Sequence, residues 1–243
     1  MERAHRSAIT TFFAPGAWSA SVDLSEAAAH HASVKRLNVG DSVRLSSGDG
    51  RRAQGTISEL AKRRLTIVLD AAGVEQVPAL SHVELWAPVG DRDRMLLLAE
   101  KAVELGASVW RPIVYQRSRS VSPRGEGDAF GERIRLRMVG ALEQSGSAWM
   151  PTCLQDSSLD EALRDASALE GVLLDVGGTP LATLSGLSGA RIAIALGPEG
   201  GLVEDERAAF DAAGWRTASL GTNVLRFETA GIAALAMVRA LTT

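Results

Sequence analysis

What the chain lacks narrows its chemistry first. With one cysteine, Cys153, and four histidines in 243 residues, no intrachain disulfide can form and no metal site is expected. No apolar run is long enough to span a bilayer, so no membrane partner is expected. The early patch "TTFFAPGAW" is broken by Pro15 and Gly16 and is too short for the core of a secretion signal. A reducing cytoplasm is the expected location. Low-complexity sequence is scarce, and the 46% hydrophobic content suits one large globular domain or two modest ones. Positive charge is not in excess either, since the formal net charge is −3.

That mean hides a gradient. Residues 1–80 carry a net +2, residues 81–150 a net +1, and residues 151–243 a net −6. Basic clusters at Lys35 and Arg36, Arg51 and Arg52, Lys62 to Arg64, Arg117, Arg119 and Arg124, and Arg133 to Arg137 read as solvated faces or as a weak polyanion footprint.

The pattern of the chain changes near residue 80. Before it, Ser25 is placed to cap a helix "EAAAHHASVKRL" ending at Asn38-Val39-Gly40, and short alternating strands follow, with a turn at Ser47-Gly48-Asp49-Gly50. This is a small, mainly β module over residues 1–77. From residue 78 to 243, apolar strands alternate with amphipathic helices: "HVELWAPV", "DRMLLLAEKAVELG", "SVWRPIVY", "FGERIRLRMVGALEQS", "SLDEALRDA", "GVLLDV", "RIAIALG", "EDERAAFDAAG", "TASLG" and "TAGIAALAMVRAL". Continuous apolar strands between helices predict an α/β domain whose mostly parallel sheet is covered on both faces.

In such a domain, ligands bind beyond the carboxyl ends of the strands. Three bends lie there: "LLDVGGTP", "LGPEGG" and "LGTNVLRFETA". The glycine spacing is wrong for dinucleotide binding, and no Lys-Ser/Thr follows as in a phosphate-gripping loop. Glu199 inside the second bend would repel a pyrophosphate while tolerating a neutral purine or a cation. From the bend alone, a tight strand-to-helix turn with an acidic helix start stays an open reading.

"LGPEGG" and "LGTNVLRFETA", together with "EKAVELG", "QRSRS", "EQSG" and "HHASVKRLNVGD", resemble the ribosomal RNA small subunit methyltransferase E family over nearly the whole chain. The resemblance implies a PUA-like β-barrel that binds RNA, followed by a SPOUT domain with a trefoil knot. It also implies a homodimer that transfers a methyl group from S-adenosyl-L-methionine to N3 of a uridine in 16S ribosomal RNA, free or within the 30S subunit. A SPOUT enzyme with another nucleotide target and a non-catalytic RNA-binding assembly factor are the alternatives. By position, the cofactor would contact Leu174, Asp175 and Gly177 in the first bend, and Leu196, Gly197, Pro198, Glu199, Gly200 and Gly201 in the second. In the third it would meet Leu220, Gly221, Asn223, Val224 and Leu225. The chain departs from the family pattern at Thr11, Ser147, Asn223 and Phe227.

The N3 atom of uridine holds a proton, so transfer needs positioning and stabilisation of the uracil anion. Arg226 is expected to hold the carbonyl oxygens, since arginine remains protonated. Glu228 or Glu199 is expected to accept the proton, and either fits equally well as a helix-capping carboxylate. Lys35, Arg36, Arg51, Arg52, Lys101, Arg117, Arg119 and Gln144 are expected to face RNA, with Lys101, Glu104, Glu143 and Gln144 alternatively building a dimer face.

Overall fold

The computed structural model describes residues 9–118, 129–187, 189 and 191–242. Arg119 and Arg124 lie outside the described residues. The chain divides into two compact units, one running to Ala79 and including Val139–Met150, the other comprising Leu80–Met138 and the chain from Pro151 onward.

In the first unit, β1 (Thr11–Phe13), β2 (Ser21–Leu24), helix α1 (Glu26–Val34), β3 (Ser42–Ser46), β4 (Arg51–Ala61) and β5 (Arg64–Gln76) follow in order. The five strands form one sheet, β1-β3-β4-β5-β2, antiparallel except where β1 lies along β3. Register shifts between Ala53 and Gly55 and between Ile57 and Glu59 mark bulges, which bend the pair and let the sheet curl around one core. Alternation decides what enters that core: Val43 and Leu45 face inward on either side of Arg44, joined by Phe12, Ile57, Leu65 and Ile67. Helix α1 adds Ala29 and Ala32.

Two expectations at α1 change. Ser25 occupies the N-cap position but makes no side-chain capping bond. The helix stops at Val34, because Arg36 takes a left-handed φ of 58° and the amides of Lys35, Arg36 and Leu37 turn back to the carbonyls of His31, Ser33 and Ala32. Lys35 and Arg36 thus sit in the helix cap, both exposed.

Glu143 has a structural task in this unit. Its Oε1 accepts the Phe13 amide at 3.0 Å and its Oε2 pairs with His31 Nδ1 at 3.0 Å, while His31 stands edge-on to Phe12. The "HH" and "EQS" segments therefore meet in a contact that ties Val139–Met150 to β1 and α1.

The second unit continues with β6 (Val83–Pro88), α2 (Arg92–Glu104), β7 (Val109–Val114), α3 (Ala129–Ser145, shared between the units), β8 (Thr152–Cys153), β9 (Ser157–Ser158) and α4 (Leu159–Asp165). It ends with β10 (Glu170–Pro180), β11 (Ile192–Leu196), α5 (Glu204–Ala212), β12 (Arg216–Ser219) and α6 (Phe227–Thr242). The sheet order is β12-β10-β11-β6-β7-β8, with β9 also on β7, and every pair is parallel. Every residue of β6 and of β11 is buried, as expected of strands covered on both faces. Glu84 is the polar exception in β6, and Arg111 and the Trp86 indole satisfy it at 3.4 and 3.1 Å. Helix α6 packs a stripe of Gly231, Ala234, Leu235 and Val238 inward, and α2 presents Met95, Leu98, Ala99 and Ala102. Among the described residues no helix is long and apolar enough to cross a membrane.

The segment expected to be a bend after residue 176 is instead an interruption inside β10. Leu174 pairs with Ala218 of β12, and Thr179 pairs with Ala218 again, so residues 175–178 loop out between the two pairings. Gly178 permits it, since a Cβ there would lie 2.6 Å from the Ala218 backbone. Gly178→Ala should therefore destabilise the protein by about 1–3 kcal/mol, measured by urea denaturation; an unchanged midpoint would show that the strand relaxes at no cost.

Candidate functional site: a three-loop cavity

Because β10, β11 and β12 are parallel neighbours, their carboxyl ends leave the sheet on the same side, and a cavity of about 580 Å³ opens there. Its size is that of a small-molecule site. Leu174, Asp175 and Val176 line it from β10. Leu196, Gly197, Pro198, Glu199, Gly201 and Leu202 line it after β11. Ala218, Leu220, Gly221, Asn223, Val224, Leu225, Arg226, Phe227 and Ala230 do so from the end of β12 into α6. Arg94 of α2 and Arg207 of α5 complete the wall.

Two expected contacts are not on that wall. Gly177 lies beyond it in the looped-out segment, where its amide reaches Asp175 Oδ1 at 3.4 Å. The carbonyl of Gly200 faces Arg117, which donates to it at 3.0 Å. The bend itself is closed by the Gly201 amide on the Pro198 carbonyl at 2.8 Å.

Among the described residues, two ion-pair systems border the cavity. Asp175 pairs with Arg207. Burial works against the Asp175 carboxylate, but hydrogen bonds from Arg207 and the Gly177 amide and the Arg207 charge outweigh it, so the carboxyl is held below its usual value. The second system is centred on Arg94, which follows the α2 cap, where Asp91 accepts the Arg94 amide. Its guanidinium contacts Glu199 and lies 3.8 Å from Glu228 Oε1. Glu228 does not line the cavity. It is buried in the first turn of α6, which begins at Phe227, two residues before the expected Thr229. Its Oε2 has no hydrogen-bond partner among the described residues. Arg226 is exposed at the wall, and its side chain makes no ion pair among the described residues.

Several of the basic residues expected to face RNA are engaged in ion pairs. Arg51 pairs with Asp49 at 2.7 Å and lies over the Trp18 ring, Arg52 pairs with Glu75 at 3.2 Å, and Lys101 bridges Glu100 and Glu104 at 2.8 and 2.7 Å. Such pairs are weak at a surface, about 0–1 kcal/mol, so a phosphate can displace the carboxylate. Gln144 is exposed on α3. Sequence reasoning missed Arg94, Leu202, Arg207, Ala218, Phe227 and Ala230. The Asp91 cap was a local signal for a helix start near Arg94, but nothing local points Arg94 at loops so far along the chain or pairs Arg207 with Asp175, 32 residues before it.

Known proteins resemble this chain in sequence and in overall fold. A family model described as "RNA methyltransferase domain" matches residues 77–239. The chain belongs to the RNA methyltransferase family. An "RNA methyltransferase PUA domain" model matches residues 24–70. Ribosomal RNA small subunit methyltransferase E of Rickettsia conorii is 28% identical over 221 residues, covering 86% of this chain and 84% of that protein. Its Bacillus subtilis counterpart is 26% identical over 222 residues, covering 86% and 85%. The crystal structure of ribosomal RNA small subunit methyltransferase E from Neisseria gonorrhoeae, bound to S-adenosyl methionine, is 25% identical over 96% of this chain and 98% of that one, with a TM-score of 0.85. Over most of its length the chain is thus similar to ribosomal RNA small subunit methyltransferase E proteins.

A carboxyl held below its unfolded value stabilises the fold at pH above that value and loses its contribution as pH falls. Arg207→Gln should therefore cost less than about 1 kcal/mol at neutral pH, given the exposure of Arg207, and progressively less below pH of about 4. Urea titrations of both proteins across pH 3–7 read this; a pH-independent difference would mean that the pair does not hold Asp175.

Proposed function

We propose that this chain methylates N3 of a uridine in small-subunit ribosomal RNA, using S-adenosylmethionine held in the three-loop cavity. The observation that carries the reading is the meeting of the three bends at one cavity, in a chain aligned over most of its length with small-subunit methyltransferases. The residues present fit that cofactor. Leu174, Leu196, Leu220 and Leu225 offer apolar walls for a flat base, Gly197 and Gly201 keep the backbone within reach, and the Asp175 carboxylate can accept from hydroxyl or ammonium groups.

When bound, S-adenosylmethionine supplies an electrophilic methyl group. The protein must position the uridine and manage its N3 proton. Arg226, exposed at the cavity wall, can donate to the uracil carbonyl oxygens as negative charge spreads onto them. Of the two candidate proton acceptors, Glu199 is in direct contact with Arg94, whereas Glu228 retains an oxygen with no hydrogen bond among the described residues. We therefore assign proton acceptance to Glu228, through water, and anchoring of the "GPEGG" bend to Glu199. Lys35, Arg36, Arg51, Arg52, Lys101, Arg117, Arg119 and Gln144 are proposed to guide the RNA, with the first unit as a closed PUA-like barrel. The same reading has a trefoil knot formed by the C-terminal part of the second unit, in a cytoplasmic homodimer.

The test is methyl transfer to small ribosomal subunits lacking the modification, followed by nucleoside mass analysis. N3-methyluridine is the expected product. Methylation at another atom would overturn the target, and cofactor binding without any methylation would favour a binding factor. Arg226→Ala should slow single-turnover transfer by about 10²–10³-fold with little change in cofactor affinity; an unchanged rate would remove Arg226 from the chemistry.

A further inference from the structure

One buried group beside the cavity is poorly compensated. Glu228 is 8% exposed, its Oε2 has no hydrogen-bond partner among the described residues, and its Oε1 is 3.8 Å from Arg94 Nε, beyond hydrogen-bond reach. The same guanidinium is in closer contact with Glu199. Asp175, by contrast, has a close partner in Arg207. An ionised carboxylate in this setting is little screened by solvent, and among the described residues the cation within reach is shared with Glu199, so its negative field persists. The field acts next to the wall, because Phe227 and Ala230, on either side of Glu228 in α6, both line the cavity.

We infer that Glu228 lets the site distinguish the cationic cofactor from its spent product, an inference that rests on the reading of the cavity as an S-adenosylmethionine site. S-adenosylmethionine carries a sulfonium, an ammonium and a carboxylate. When the sulfur–methyl bond breaks, its electron pair stays on sulfur. S-adenosylhomocysteine therefore keeps the adenosine and amino-acid parts but lacks one positive charge. A negative field behind the wall favours the first ligand over the second without needing to touch either. The hydrophobic contacts are common to both and contribute nothing to the difference. Product would then bind less tightly than cofactor.

The test is calorimetric titration of the full-length protein with each ligand separately, for the wild type, Glu228→Gln and Glu228→Asp. The quantity read is the ratio of the product Kd to the cofactor Kd. Glu228→Gln removes the charge and keeps the shape, and should lower the ratio roughly threefold to tenfold. Glu228→Asp keeps the charge and should hold the ratio within about twofold of wild type. A role in structure alone would weaken both ligands equally. An unchanged ratio in Glu228→Gln, with both ligands bound, overturns the inference. If Glu228→Gln does not fold, Glu228→Met, neutral and of similar length, serves instead: the ratio should fall, and an unchanged ratio would again overturn the inference. Failure of the wild type to bind either ligand is a separate result and would overturn the cavity reading itself.

Discussion

Parallel pairing of β10 with both β11 and β12 is the constraint on which the site depends. Antiparallel neighbours would send successive strand ends to opposite sides of the sheet. Parallel ones bring them together, so segments at residues 174–176, 196–202 and 218–230 become neighbours although well separated in sequence. The burial of β11 on both faces makes this arrangement costly to disturb, since sliding or removing the strand would expose Ile192, Ile194 and Leu196 together. The looped-out residues 175–178 exploit the same pairing: Ala218 serves as partner before and after the interruption, and Asp175 and Val176 are displaced into the cavity wall.

Charge then refines what packing provides. The cavity has two arginine–carboxylate systems of different character. Arg207 and Asp175 form a dedicated pair within the wall. Arg94 is shared by Glu199 on the glycine-rich bend and Glu228 in α6, linking the second and third loops through the start of α2. Arg117 holds the opposite side of the bend through the Gly200 carbonyl, and Glu206 accepts the amides of Val203 and Gln116 at 3.0 and 2.7 Å. The glycines let this bend lie close to a ligand, and the surrounding side chains restrain the flexibility that glycine brings. That combination suits a site whose donors and acceptors must be in place before the ligand arrives.

Much of this could be read in the residues and some could not, for identifiable reasons. The strands "HVELWAPV", "GVLLDV" and "RIAIALG" were legible because a short continuous apolar run between helices matches a strand buried on both faces. The bends that follow β11 and β12 were legible from glycine and proline placed after such runs. The interruption in β10 was not, since the glycines of "DVGGTP" look the same in a loop and in a strand that resumes at Thr179. The start of α6 was misplaced by two residues: Arg226-Phe227 resembles loop, yet burial of Phe227 extends the helix backwards and draws Glu228 under cover. Arg94 and Arg207 are ordinary helix-surface residues by spacing, and only tertiary packing brings them to the cavity. The return of Val139–Met150 to the first unit was equally hidden, because α3 keeps a single helical period across the division at Met138.

If three loops, and little else, hold the cofactor, ligand binding should leave its mark on those loops alone. Hydrogen–deuterium exchange of the protein with and without S-adenosylmethionine reads this, since amides ordered by a ligand exchange more slowly. Slower exchange should concentrate in peptides covering 174–178, 196–202 and 218–226, with β3, β4 and β5 unchanged. Protection centred on the first unit, or none in these three segments at saturating cofactor, would refute the three-loop site.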